Sequence, residues 1–399
     1  MSAGSPLSPL DVACGLVFGE DVGAPRLPAP LQGGPRAALE AAVVEALARP
    51  PCLVSFSGGR DSSAVLALAT HVARREGLDA PIPATNCFPD AATTDESEWQ
   101  ERVVRHLGLA EWERVFLTDE LDSIGPIAQE TLRRHGLLWP FNAYFHVPLL
   151  RCAAGGSLLT GVGGDEAFAT SQWAHVRLLS RGAVRPRLRD TLRVALALAP
   201  KPLKIPLIRR RRIPANAFSW LQQGAQRAAE KAAAAEAAAE PLRWRRGVEW
   251  KRRLRHMEVS LASLQSLAAA EDVLIAHPLS DRRLWAALAE LPGQERFRSR
   301  TEAMRRYFGD LLPEPILVRS TKASFDEVFW SRHSRAFVQS WNGSGVDPGI
   351  VNVDALRREW ASPAPNPRSF LLAQAAWLNT SGSRDVSANE FDQRVGSGV

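Results

Sequence analysis

Cysteine is scarce in this chain, which has four among 399 residues, at positions 14, 52, 87 and 152. So few cysteines exclude a disulfide scaffold, and the absence of a CxxC pair argues against a structural zinc site. No apolar run approaches the ~18–20 residues that span a bilayer. The N-terminus has neither the basic start nor the long apolar core of a secretory signal. We therefore expect a cytoplasmic protein with no membrane partner.

A strong excess of one charge is also missing, because 49 basic residues face 43 acidic ones and the net charge is +6. Basic residues nevertheless cluster at Arg209–Arg212 and Arg243–His256. Such clusters are typical either of a phosphate or nucleic-acid surface or of solvated helix faces. The second interpretation is favoured because Trp244 and Trp250 fit helix packing, so we expect no nucleic-acid partner.

The composition changes along the chain and suggests its domain organisation. Residues 1–35 are rich in Pro, Gly and Ser and indicate a tail or a vestigial segment, with strand character only at Cys14–Gly19. Residues 36–170 alternate between apolar runs and helical patterns, and residues 171–380 are mostly helical in pattern. Residues 381–399 are polar and predict a flexible tail.

Four short apolar runs predict strands in the first half of the chain. Helical patterns separate them, and this alternation predicts an α/β fold built on a parallel sheet with crossover helices. The predicted strands are Cys52–Phe56, Pro83–Phe88, Val115–Leu117 and Ser157–Thr160.

The segment Ser57–Ser63, SGGRDSS, lies between the first predicted strand and a predicted helix. Its glycines allow backbone N–H groups to point into a turn, and the helix N-terminus that follows favours an anion. Asp61 would repel a phosphate by itself, so it predicts a magnesium ion that bridges to the phosphates. No lysine follows the glycines, so this is not the loop of P-loop NTPases.

This segment resembles the PP-motif, SGGxDS, of the ATP pyrophosphatases. The later loop Thr160–Glu166, TGVGGDE, resembles the G-x-G-[GSA]-D-E loop of the asparagine synthetase family, which includes β-lactam synthetase and lasso-peptide cyclases. Asp95-Glu96, Ala276–Asp281 and Arg319–Phe325 resemble further family segments in the expected order. The resemblance covers about residues 36–335. It implies a Rossmann-like sheet of the adenine nucleotide alpha hydrolase type, followed by a mainly helical half.

The resemblance also implies ATP and Mg²⁺ as cofactors and assigns roles to particular residues. Asp61 and Asp165 would share the magnesium ion, and Lys322 would contact phosphate and stabilise charge in the amide-forming transition state. Together with these, it assigns pyrophosphate contacts to Ser57, Gly58, Gly59, Asp61 and Ser62, and adenosine contacts to Ser55, Thr160 and Gly161.

The activity implied is an AMP-forming, ATP-dependent carbon–nitrogen ligase that acts on a small-molecule or peptide carboxylate. Family members with glutaminase activity carry a complete N-terminal domain whose nucleophilic cysteine follows the initiator Met, whereas here Ser2 follows it. We therefore expect no glutaminase of its own, and an amine from ammonia, the substrate or a separate glutaminase. Val162, Arg60 and Ala276 depart from the family pattern, and Val162 argues against aspartate as the substrate.

Two other functions stay open at this point. One is a tRNA-modifying PP-loop pyrophosphatase, which the basic clusters favour and the GVGGDE loop disfavours. The other is a catalytically inactive homologue that acts as a binding partner. Retention of tRNA would indicate the first, and a lack of AMP and pyrophosphate with any acceptor would indicate the second.

Overall fold

Five short parallel strands form one sheet in the computed structural model, which describes residues 7–212, 217–293, 296–321 and 323–380. The strand order is β3-β2-β1-β4-β5, and every neighbouring pair is parallel. The predicted α/β, Rossmann-like fold is therefore confirmed. The strands are β1 (Cys52–Ser55), β2 (Ile82–Cys87), β3 (Glu113–Phe116), β4 (Ser157–Leu159) and β5 (Leu274–Ala276).

Helices cover both sides of the sheet and build most of the second half of the chain, as the sequence predicts. They are α1 (Pro9–Cys14), α2 (Gly34–Leu47), α3 (Arg60–Glu76), α4 (Ser97–Leu107), α5 (Pro126–His135), α6 (Val147–Cys152), α7 (Gly164–Ala167), α8 (Ala174–Ser180), α9 (Leu188–Leu198), α10 (Lys201–Arg212), α11 (Gln223–Ala239), α12 (Trp244–Arg252), α13 (Arg255–Ala270), α14 (Arg282–Ala289), α15 (Arg300–Phe308), α16 (Glu314–Val318), α17 (Asp326–Phe329), α18 (Arg332–Ser340), α19 (Val353–Trp360) and α20 (370–380).

The central strands are apolar on both faces because each face lies against a core. Leu53 of β1 and Leu158 of β4 belong to one cluster, while Val54 and Leu159 belong to the other. All four side chains are buried. A strand covered on both faces is a continuous apolar run rather than an alternating one, which explains why the sequence identifies β1 and β4 so clearly.

The strand expected at Cys14–Gly19 is wrong, because Cys14 is the last residue of helix α1 and residues 15–19 form a turn and irregular chain. Ser8 caps α1 in a reciprocal pair with Asp11, Pro9 opens the first turn, and the helix ends at Gly15. Cys14 is fully buried, and the Trp220 indole donates to the Ala13 carbonyl at 2.8 Å. The predicted domain boundaries remain predictions, and the tail 381–399 lies outside the described residues.

None of the helices in the described ranges combines the length and the apolar character that a bilayer crossing requires.

Candidate active site

The two glycine-rich loops leave neighbouring strands at the same edge of the sheet. The first loop is Ser57–Ser63 and the second loop is Thr160–Glu166. β1 pairs with β2 on one side and with β4 on the other, so the strand order reverses direction between β1 and β4. A crevice forms at such a point outside the carboxyl ends of the strands, where ligands of open α/β sheets bind. Val54 pairs with Leu159, which places Ser55 beside Thr160 at the base of this crevice.

The first loop folds back on itself at the N-terminus of α3. Ser62 donates to the Gly59 carbonyl at 3.1 Å, and its oxygen lies 3.2 Å from the Ser57 hydroxyl. Gly58 has φ 79°, and a Cβ there would lie 2.9 Å from Gln100 Cγ, so both its backbone and its surroundings require glycine. The loop thus presents backbone N–H groups and hydroxyls at the positive end of a seventeen-residue helix, a favourable site for an anion.

The second loop lies directly against Asp61. A Cβ on Gly161 would come within 2.9 Å of the Ser62 nitrogen, and one on Gly164 within 2.4 Å of Asp61 Cγ. A side chain at Gly164 would therefore collide with the Asp61 carboxyl group. The glycines of this loop allow the chain to carry Asp165 up to the first loop.

Asp61 and Asp165 share one cationic partner, the guanidinium of Arg300 in the first turn of α15. One terminal nitrogen of Arg300 donates to Asp61 and the other donates to Asp165. Asp61 and Arg300 are mostly buried, whereas Asp165 is half exposed. The structure thus brings together two carboxylates separated by about a hundred residues in the sequence.

Charge is nearly balanced around this pair. Burial alone would lower the pKa of Arg300, but attraction to Asp61 and Asp165 and the hydrogen bonds that it donates to them raise it. Burial, followed by repulsion from Arg300, lowers the pKa of Arg60 in the same cavity. Burial also raises the pKa of Glu166, and Asp165 and Asp61 add to that rise. A polyphosphate bound here would need a further cation.

Arg319 holds the first loop from behind. Its guanidinium donates to the Gly58 carbonyl at 2.9 Å, forms an ion pair with Glu96 and lies 4.6 Å from the centre of the Trp99 ring. Gln100, one turn further along α4, donates to the Ser57 carbonyl at 3.3 Å. Arg319 and Glu96 are almost fully buried. The loop is therefore fixed by α4 and by the segment around Arg319.

A cavity of about 420 Å³ opens between the first loop and an uncharged wall. The rings of Phe145 and Phe325 meet edge to face with centroids 5.6 Å apart, and Phe329 packs against Phe145 at 6.1 Å. Val162 extends the wall from the second loop. The described part of the cavity is thus lined both by charged groups, among them Asp61, Arg60 and Arg300, and by this aromatic wall.

Two neutral histidines lie next to this wall. His146 lines the cavity, and His277 forms a 2.6 Å hydrogen bond with the hydroxyl of Thr160. Burial lowers the pKa of His146 to about 4 and that of His277 to about 3, with repulsion between the two adding to the shift at His277. Neither ring carries a charge at neutral pH, so the wall stays uncharged.

The comparison with protein families now adds to this geometry. A model of the asparagine synthase family matches residues 35–379. The chain belongs to the asparagine synthase family. The search of curated proteins finds no significant match. Asparagine synthase membership supports an ATP-dependent ligase, and the crevice between β1 and β4 is where its two acidic loops meet.

Most of the residues that the sequence assigns to ATP line the cavity of this asparagine synthase domain. Gly58 faces Gln100 and Arg319 instead, Thr160 is buried against His277, and Asp165 lies beside the cavity through its contact with Arg300. Lys322 lies outside the described residues, although its neighbours Thr321 and Ala323 line the cavity. Of the residues assigned to ATP, those that line the cavity are Ser55, Ser57, Gly59, Asp61, Ser62 and Gly161.

The donor set fits a magnesium ion of the kind that asparagine synthase chemistry uses. No group of three metal-binding side chains occurs in the described ranges. Mg²⁺ is usually held by one or two carboxylates together with substrate phosphates, and Asp61 and Asp165 supply two carboxylates that already share one cationic partner.

Sequence reasoning missed Arg300, the role of Arg319 and the aromatic wall. Arg319 belongs to a segment that resembles the family, but nothing local identifies Glu96 as its partner. Arg300 has no motif around it that distinguishes it from the other arginines of this Arg-rich chain. The aromatic wall brings together Phe145, Phe325 and Phe329 from distant segments, so no spacing rule could have found it.

Proposed function

We propose that the protein is an ATP-dependent amide ligase that adenylates a carboxylate and passes the acyl group to an amine or ammonia. The carboxylate displaces pyrophosphate from ATP, and the amine then displaces AMP. The observation that carries this proposal is the meeting of Asp61 and Asp165 around one cationic partner at the N-terminus of α3.

The first loop would bind the phosphates of ATP. Its backbone N–H groups, the hydroxyls of Ser57 and Ser62 and the N-terminus of α3 all favour negative charge there. Asp61 and Asp165 would hold Mg²⁺, which neutralises the phosphate charge when it is bound. Arg60 and Arg300 lie at the same end of the cavity and would orient the leaving pyrophosphate.

Lys322 would supply a fixed positive charge at the reacting centre. Thr321 and Ala323, which flank it, both line the cavity. A charge-stabilising donor at a position where charge develops lowers a barrier by ~3–4 kcal/mol. Binding both reactants in one cavity adds the advantage of proximity.

The aromatic wall of the cavity favours a substrate other than aspartate. Val162 can neither bind an amine nor transfer a proton, and Phe145, Phe325 and Phe329 offer no charge to pair with a second carboxylate. An apolar acyl group, from a small molecule or a peptide, suits this surface. A macrocyclising or tailoring reaction fits such a substrate.

Carboxylate-dependent exchange of labelled pyrophosphate into ATP tests this function without knowledge of the amine. We expect exchange with apolar carboxylates, AMP rather than ADP as the nucleotide product, and a loss of about a hundredfold or more in Asp61→Asn. Asp354→Asn, which changes an exposed carboxylate on α19, should exchange like the wild type. Formation of ADP and phosphate would contradict the proposal.

A further inference from the structure

A second surface of the molecule combines exposed leucines with a high density of positive charge. It is the basic segment, residues 181–212, which contains α9 and α10. Half of the ten large apolar side chains that are exposed in the described ranges belong to it. They are Leu188 (93% exposed), Leu192 (72%), Leu198 (69%), Leu203 (63%) and Leu207 (54%).

The leucines of α9 form one outward stripe. Leu188 and Leu192 are one turn apart, and Ala195 and Leu198 continue the same side of the helix at spacings of three. The opposite side carries Ala197, which packs in a cluster with Trp173 and Val176. Helix α9 therefore has apolar side chains both on the side that packs against the protein and on the side that faces solvent. A surface helix requires apolar side chains only on the packed side.

The exposed leucines of α10 follow the same rule. Leu203 and Leu207 are one turn apart on the outside, while Ile208 packs inward against alanines of α11. The Lys204 ammonium is turned inward as well and donates to the Ala197 carbonyl at 2.8 Å. Both helices thus place leucines outward as well as apolar side chains inward.

The positive charge of the whole chain is concentrated in this segment. Residues 181–212 contain eleven Lys and Arg against one acid, Asp190, a net charge of +10, so the remainder of the chain has a net charge of −4. Asp190 is buried, and its carboxylate accepts from the Arg187 backbone N–H, contacts the His175 ring and lies 3.5 Å from the Arg193 guanidinium. Asp190 thus offsets one of the eleven positive charges, and the net charge of +10 remains.

The basic side chains flank the leucine stripe. Arg185, Arg189, Arg193 and Lys201 are exposed in the same stretch as the leucines. Exposed leucines bordered by arginine and lysine are typical of helices that lie in the interface of an anionic membrane, where the apolar side enters the acyl boundary and the cations meet the headgroups. A surface for single-stranded nucleic acid would add aromatic stacking, and the segment has no Phe, Trp or Tyr.

We propose that the basic segment binds the surface of a lipid bilayer that contains anionic phospholipids. Such binding does not depend on the ligase function and would hold a peripheral protein at the membrane, where an amphiphilic substrate or product is concentrated. The sequence by itself led us to expect no membrane partner, because it shows the charge of this segment but not which way its leucines point.

Vesicle flotation tests this proposal directly. Full-length protein is mixed with vesicles of phosphatidylcholine alone or with 30% phosphatidylglycerol, about the anionic content that attracts polybasic segments. We expect flotation only with the anionic vesicles, and weaker flotation as salt is raised, since salt screens surface charge. Equal flotation with both vesicles, or none with either, would overturn the proposal.

Matched variants identify the surface responsible. Leu188→Ser with Leu192→Ser should weaken partition into anionic vesicles at least about tenfold, and Arg189→Gln with Arg193→Gln roughly fivefold for each charge lost. Val22→Ser with Phe116→Ser changes two apolar residues elsewhere that are 87% and 66% exposed and should leave partition unchanged. All of these residues are exposed, but Arg193 also pairs with the buried Asp190. Circular dichroism and the melting temperature of each variant are measured alongside to confirm folding.

A different binding partner at the basic segment would give different experimental results. If a second copy of the chain covers the leucines, sedimentation velocity shows a dimer that the Leu188→Ser, Leu192→Ser variant dissociates. If the segment binds RNA, the protein retains tRNA at physiological salt and the leucine variant retains it equally well. Either result without vesicle binding would contradict the proposal.

Discussion

Arg300 contacts both of the aspartates to which we assign the metal, and it is the single residue on which the electrostatics of the site depend most. Its guanidinium and a divalent cation compete for the same two carboxylates. This competition is reciprocal, because a change that strengthens the binding of Arg300 to the two aspartates weakens their affinity for the metal, and the reverse also holds. Arg300 therefore offsets one of the two negative charges in the protein alone and sets how readily a metal binds without nucleotide.

Replacing Arg300 by Gln should raise the affinity for Mg²⁺ or Mn²⁺ in the absence of nucleotide by about tenfold, near the low end of a typical coupling free energy. The same variant should melt at a lower temperature in metal-free buffer, because two close carboxylates lose their counter-charge. Millimolar Mg²⁺ should restore most of the difference. Metal titration by calorimetry and thermal melts measure both effects.

Arg298→Gln is the matched control, since Arg298 is an exposed arginine two residues earlier in the chain. It should leave metal affinity and melting temperature unchanged. Metal affinity that stays the same or falls in Arg300→Gln would show that the two aspartates do not form the metal site.

Single residues could be predicted from sequence only where their function is local. Asp61 stands within a motif that fixes its position at a helix N-terminus, and Asp165 stands within a second one. Arg300 lies 239 positions from Asp61 and 135 from Asp165. An arginine in an arginine-rich chain gives no local sign of partners so distant, so its role had to come from the fold.

Helix α4 and the segment around Arg319 act as one support for the first loop. Arg319 joins Glu96 of that support to the Gly58 carbonyl, and each of the two charged side chains is less than a tenth exposed. Removing one partner of a buried ion pair leaves the other charge without compensation, which costs about 3–5 kcal/mol.

Arg319→Met should therefore lower the free energy of unfolding by about 3 kcal/mol and raise the KM for ATP in the exchange reaction. Urea denaturation and exchange kinetics measure these two effects. Arg102→Met, on the exposed side of α4, removes a surface pair with Glu98 and should cost less than about 1 kcal/mol. If Arg319→Met unfolds like Arg102→Met, the pair does not hold the loop.

Elements were predictable where the apolar pattern was long enough to be distinctive. The runs that became β1 and β4 are buried on both faces and were recognised, whereas β5 is three residues long within a helical region and was missed. Helix α1 was missed although Ser8, Pro9 and Asp11 form a good start signal, because six residues are too few to show a helical period.

The whole molecule has two surfaces with different electrostatic character. The crevice between β1 and β4 balances two aspartates against Arg300 and Arg60, while the basic segment 181–212 carries a net charge of +10. The sequence revealed the crevice because its loops are motifs. It did not reveal the leucine surface, since exposure depends on how α9 and α10 pack against the rest of the chain.

Binding of ATP measured by calorimetry with Mg²⁺ and with EDTA tests most directly whether Asp61 and Asp165 hold nucleotide through a shared metal. We predict that wild-type protein and Asp354→Asn bind ATP with Mg²⁺ and bind at least about tenfold more weakly with EDTA. Asp165→Asn should bind weakly in both buffers. Equal ATP affinity with and without Mg²⁺, or normal Mg²⁺-dependent binding by Asp165→Asn, would contradict the assignment.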